Sequence, residues 1–126
     1  MCHQTVSLAA RHLEANGIPT VIVGSAKDIV EHCGVPRFLF TDFPLGNPCG
    51  VPWDTAMQAA IARLAMTLLA DATAPRTNVR APFDWPAPPT WRETYSRVRP
   101  EDTERLAALG EERRRLKLRQ RQRSGS

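Results

Sequence analysis

Three cysteines and three histidines carry most of the redox and proton chemistry open to this chain. Cys2 and His3 stand side by side just ahead of a segment with helical spacing. A thiol at the start of a helix feels the positive end of the dipole, which favours the thiolate. An adjacent imidazole is a fitting proton partner. The plain alternative is a tail with an incidental cysteine. Cys49 sits in a polar loop and is a secondary redox candidate. Cys33 falls on the apolar side of a short helical segment and reads as a buried structural thiol. His12 reads as a solvated helix residue. Cys2, His3, His32, Cys33 and Cys49 show neither C-x2-C nor H-x3-H spacing, so no metal is expected.

The loop over 43–50, F-P-L-G-N-P-C-G, is the most informative segment. It leaves the C-terminal end of an expected parallel strand, where open α/β sheets bind their ligands. Gly46 and Asn47 are residue types that tolerate positive φ, so a tight turn is expected there. Such a turn can aim backbone N–H groups at an anion or a carbonyl. Pro44, Gly46 and Asn47 are therefore candidate substrate-loop residues. An ordinary strand-to-helix turn stiffened by prolines is the other reading. Gly24-Ser25 offers a second place for a phosphate or carboxylate. It is not G-x-G-x-x-G, there is no Walker lysine, and no G-x-S-x-G elbow occurs.

Those residues need a frame, and the first 71 residues supply one. Val6, Ala9, Ala10 and Leu13 recur at helical spacing within Thr5–Asn16, and Gly17 with Pro19 ends the helix. Thr20–Val23 is a β-branched run bounded by Gly24 and predicts a buried strand. Ser25 is an N-cap candidate for a helix carrying Ile29, Val30 and Cys33, with Gly34 as its stop. Val35–Thr41 predicts a second strand. Asp54 then caps a longer helix striped by Met57, Ile61, Leu64, Ala65 and Leu68. The order α-β-α-β-loop-α predicts an α/β fold, a Rossmann-like parallel sheet fragment with right-handed crossovers. Two strands with three helices make a thin core. Further strands are expected, from a partner subunit or from sequence ahead of Met1.

The remainder changes character. Residues 72–100 hold six prolines and no period, and read as an extended Pro-rich arm anchored by Phe83, Trp85, Trp91 and Tyr95. Residues 101–126 read as a charged tail, helical over 101–123, acidic at its start and basic at its end, as the dipole prefers. Three segments are thus expected, 1–71, 72–100 and 101–126.

With 126 residues and 14.0 kDa, one domain is the ceiling. Hydrophobic residues at 42% and charged residues at 24% fit a globular chain and exclude wholesale disorder. No apolar run reaches the ~18–20 residues that span a bilayer. The opening Met-Cys-His-Gln has no basic region before an apolar stretch, so no signal peptide is expected. An odd set of three cysteines then reads as reduced thiols in a cytoplasm. The net charge of +4 is uneven. Residues 1–75 hold four Lys+Arg against six Asp+Glu, and residues 76–126 hold thirteen against seven. Seven bases and no acid fall within 113–123, but no aromatic interleaves them for stacking. Nucleic acid is therefore not the expected partner, and a solvated helix end is.

Two stretches carry a family resemblance. A-x-x-L-E-x-x-G-I-P-T-V-x-V over 10–23, followed by G-V-P-R-x-L-F-T-D-F-P-L-G-N-P over 34–48, resembles the C-terminal part of selenoprotein B. That protein is the substrate-specific component of the glycine, betaine, sarcosine and D-proline reductases. The resemblance covers about residues 2–70, and Pro44-Leu45-Gly46-Asn47-Pro48 is its most specific piece. The tail over 72–126 has no counterpart. The resemblance implies a redox enzyme in which 1–71 is the C-terminal half of a larger domain. In the family a selenocysteine, or a cysteine in its place, belongs to a U-x-x-C type motif just ahead of the helix that precedes G-I-P. Cys2 matches the second member of that pair, the resolving thiol that closes a selenenylsulfide or disulfide. The first member has no match in this chain. This is expected if the start was assigned downstream of a selenocysteine codon, which reads as a stop. The alternative is a small protein that kept the fold and lost the pair.

The leading expectation is thus an oxidoreductase that reductively cleaves a small amino-acid-like substrate by thiol/selenol exchange. Cys2 and His3 are its catalytic candidates. No cofactor is expected beyond a selenocysteine upstream of Met1. Other reductase subunits or a second copy are the expected partners, with no membrane. A non-catalytic α/β interaction subunit, whose basic tail binds a partner or nucleic acid, is the second expectation. A sugar- or nucleotide-binding half-domain is a third, on the loop position alone.

Overall fold

Three short parallel strands form one sheet: β1 (Ile22–Gly24), β2 (Arg37–Phe40) and β3 (Thr77–Arg80), in that spatial order. Ile22 pairs with Phe38 and Gly24 with Phe40, while Leu39 pairs with Val79. The structure, a computed structural model, describes residues 2–124. The chain divides into two compact units, one running to Trp91 and one beginning at Arg92.

Side chains on a strand alternate between faces, and the sheet is buried on both. Ile22 and Phe38 point to one face and join Ala10, Val30 and Val35. That layer holds α1 (Cys2–Ala15) and α2 (Lys27–Cys33). Leu39 points to the other face and joins Phe43, Ile61, Ala65, Leu68 and Ala81, with α3 (Thr55–Asp71) above it. The α/β parallel-sheet architecture expected from the sequence is present. The crossovers differ from expectation in one respect. The strand order runs 1-2-3 while α2 and α3 pack on opposite faces. The two connections therefore have opposite hands, and right-handedness holds for one of them.

The third strand lies inside the stretch read as an extended arm. T-N-V-R has one large apolar residue, Val79, and no hydrophobic run to announce it. Backbone pairing recruits it: Thr77 N–H donates to Pro36 O at 3.0 Å and Ala81 N–H to Phe40 O at 2.8 Å. Phe83 and Trp85 then pack against the α3-side core, Trp85 with its ring centroid 5.4 Å from that of Phe43.

Local stops follow the sequence. Gly17 and Gly34 take φ of +79° and +70° at the ends of α1 and α2. Asp54 Oδ1 accepts from Met57 N–H at 3.0 Å, capping α3. Ser25 is corrected. Ala26 holds the N-cap position of α2 without a side-chain bond, and Ser25 Oγ is buried with no hydrogen-bond partner among the described residues.

The second unit is helical. It contains a 3-10 turn (Pro100–Asp102) and α5 (Thr103–Ser124), preceded by the short α4 (Trp91–Thr94) that straddles the division. The helix expected over 101–123 is therefore observed with nearly the same bounds.

Candidate functional site

The C-terminal ends of β1 and β2 gather most of the residues singled out from the sequence. Gly24 O accepts from Thr41 N–H at 3.0 Å, which extends the pairing one residue past β2. Thr41 is fully buried, and its Oγ1 donates to Pro48 O at 2.8 Å. That bond fastens the 43–50 loop to the sheet end. Within the loop, Asn47 N–H donates to Pro44 O at 3.0 Å and Gly46 has φ +94°, the turn its residue types predict. A second turn follows, Gly50 N–H to Asn47 O at 3.2 Å. Gly50 has φ +109°, and a Cβ there would stand 2.9 Å from the Met57 sulfur. Only glycine lets the loop lie this close to α3.

His3 reaches the same sheet end. A Cβ at Gly24 would lie 3.4 Å from His3 Cδ2 and 3.8 Å from its Nε2, so the ring rests over the glycine backbone. Helix α1 begins at Cys2, earlier than the spacing predicts, which puts Cys2 and His3 inside its first turn. Ser7 Oγ, fully buried, donates to His3 O at 2.6 Å and ties that turn down. Neighbouring helix residues project roughly 100° apart. The half-buried His3 accordingly faces the sheet end, while Cys2 is exposed. Cys49 is also exposed, one residue beyond the anchored Pro48, and Cys33 is half-buried. The structure thus brings together His3, Gly24, Thr41 and the Pro44–Gly50 loop. Cys2, one residue earlier in the same turn as His3, is exposed to solvent. Among the described residues, no three His, Cys, Asp or Glu side chains cluster as a metal site.

Sequence reasoning missed a polar anchor at the opposite end of the strands from the site. Glu14 Oε1 accepts from Thr20 N–H at 2.6 Å, from Thr20 Oγ1 at 3.2 Å and from Arg37 Nη1. The same guanidinium donates to Thr20 O at 3.3 Å. The bond from the Thr20 N–H, above all, holds the Glu14 carboxyl below its ordinary range. The Thr20 hydroxyl and Arg37 act in the same direction, against the opposing effect of burial. Glu14, Thr20 and Arg37 all lie in the quoted motifs, so part of that pattern is scaffold. A carboxylate three residues before G-I-P, with an arginine opening the next strand, was the signal available. Thr41 had no comparable signal, because its role depends on where the loop returns.

Among the described residues, no helix is long and apolar enough to cross a membrane. No family model matches the sequence, and no solved structure matches it. The chain is similar to the D-proline reductase subunit gamma of Acetoanaerobium sticklandii, with 29% identity over 86 residues. The match takes in 68% of this chain and 36% of the relative, so the chain spans about a third of that protein's length. The similarity falls within the group of reductases that the two motifs resemble. It does not single out the selenoprotein B component.

Proposed function

We propose that this chain is the redox module of a reductase that cleaves a small amino-acid-like substrate by thiol or selenol exchange. The similarity to a D-proline reductase subunit carries the reading. The loop fastened to the sheet end, where α/β folds bind ligands, supports it. In this reading the Pro44–Gly50 loop covers the substrate, with the turn closed by the Asn47 N–H presenting the Gly46 backbone N–H to it. His3 moves a proton at the sheet end. Cys2 is the resolving thiol, and its partner is a second thiol or selenol of the reductase. The pair gives two electrons and two protons to the substrate. One substrate bond breaks, each fragment gains a hydrogen, and the pair closes as a selenenylsulfide or disulfide. An external dithiol then reopens it. Cys49 is the secondary thiol.

The test is dithiol-dependent reduction of D-proline and other small amino acids by the protein isolated with its associated subunits. Replacing Cys2 with Ser is expected to lower turnover at least ~100-fold, in line with the loss of an essential nucleophile. The exposed position predicts an unchanged fold. Unchanged turnover in Cys2→Ser refutes the role. A second reading, a non-catalytic interaction subunit, is favoured by α5, whose described side chains include none that is buried. It predicts no dithiol-dependent turnover for the wild type with any subunit present.

A further inference from the structure

Three of the four leucines of α5 share one face, with Leu118 off it, and among the described residues nothing in the same unit buries that face. Leu106, Leu109 and Leu116 line a single groove, with Gly110, Glu112 and Arg113 between them. The three leucines are 43%, 53% and 52% exposed. Their positions fall on the a and d sites of one heptad frame, with Arg113 at the intervening a site. A helix this polar elsewhere is marginal alone, and most helical stability comes from packing such a face.

Charge identifies what covers the groove. Residues 101–112 carry Glu101, Asp102, Glu104, Glu111 and Glu112 against one base, Arg105. Residues 113–123 carry seven bases and no acid. The helix is an acidic half followed by a basic half, and its natural complement is the same helix reversed. We propose that α5 pairs antiparallel with α5 of a second copy of this chain.

The pairing accounts for the polar residues in the groove as well as the leucines. Setting Leu106 against the partner copy's equivalent of Leu116 brings these two leucines together on each side of a two-fold axis near residue 111, and lays Leu109 against the aliphatic stem of the other copy's Arg113. Glu112 of each helix then lies beside Arg113 of the other, in two symmetric ion pairs at the centre, as an isologous contact requires. A parallel pair would set Arg113 against its own copy and both basic halves side by side, at a cost in repulsion. The charged a site selects orientation, as polar a residues do in coiled coils.

Sedimentation equilibrium of the full chain tests this, over a range of protein and NaCl concentrations. The expected result is a reversible dimer of twice 14.0 kDa that weakens as salt rises. Combining Leu109→Arg with Leu116→Arg is expected to weaken it at least ~100-fold. Glu112→Arg alone and Arg113→Glu alone each weaken it about tenfold, whereas the exchanged pair E112R/R113E restores it. That rescue occurs only in the antiparallel arrangement. Chains bearing Leu106→Cys are expected to cross-link to chains bearing Leu116→Cys, and neither variant to itself beyond the wild-type level. A chain that is monomeric throughout overturns the proposal. So does a dimer indifferent to the leucine changes, a homotypic Leu106→Cys cross-link, or a monomer that binds single-stranded RNA through 113–123.

Discussion

Helix α3 buries Ile61, Ala65 and Leu68, with Met57 and Leu64 packed partly behind them, whereas α1 buries Ser7 and Ala10. In sequence each shows an apolar stripe of helical period. The α3 stripe became the floor of the larger core. The large members of the α1 stripe face outward, Val6 being 46% exposed and Leu13 39%, while its small member Ala10 turns to the sheet with Ser7. The reason lies in the distances. Ile22 and Phe38 already fill the space under α1, and α1 packs close to them through its small side chains. Periodicity reports that a helix has a face; available volume decides which face goes inside. Cys2 shares the outward face, four residues before Val6, while His3 shares the inward one.

The strongest way to break this comparison is at α3. Ile61→Ala removes a side chain that is 1% exposed and is expected to cost about 3 kcal/mol. Urea unfolding followed by tryptophan fluorescence reads it, and a loss under ~1 kcal/mol would mean that the core collapses around the gap. A smaller effect is expected where α1 meets the sheet through its polar anchor. Glu14→Gln is expected to cost about 1 kcal/mol at neutral pH, because it weakens bonds from Thr20 and Arg37. Its pH dependence has a definite sign. The folded carboxyl titrates below the ordinary value of 4.5, so its stabilisation is complete above that value. It disappears as pH falls through the lower folded value. The wild type should therefore lose stability more steeply than Glu14→Gln as pH drops below about 4.5, with parallel curves above it. Parallel curves throughout would show that the carboxylate is not held. The smallest effect belongs to the outward stripe. Leu13→Ser is expected to change stability by no more than about 0.5 kcal/mol, although Leu13 ranks with Ile61 in the sequence pattern. A cost above ~1.5 kcal/mol would reveal a neighbour over that face.

Legibility followed the range of the interactions. The Gly17 and Gly34 stops, the Asp54 cap and the turn at Gly46-Asn47 were readable because each is settled within about four residues. Strand β3 was not, since T-N-V-R has no pattern and takes its place by pairing with the open edge of β2. Ser25 looked like an N-cap by type and spacing, yet the chain turns one residue later and buries its hydroxyl. The loop and His3 were recognised separately as candidates. Their meeting at one sheet end depends on Thr41, which joins Gly24 on one side and Pro48 on the other. The division after Trp91 follows neither the proline content nor the charge shift, because β3, Phe83 and Trp85 belong to the first unit.

Sequence alone determined the alternating α/β order, the positive-φ loop, the two-signed helix at the end and the residue types able to carry redox chemistry. These rest on backbone preference, hydrophobic period and charge order, which act locally. Tertiary structure alone decided which side chains of each stripe were buried, where the third strand came from, and that His3 rests against the sheet end while Cys2 stays exposed. Those outcomes depend on volume and on unpaired backbone edges brought together from distant parts of the chain. No local window of residues contains that information.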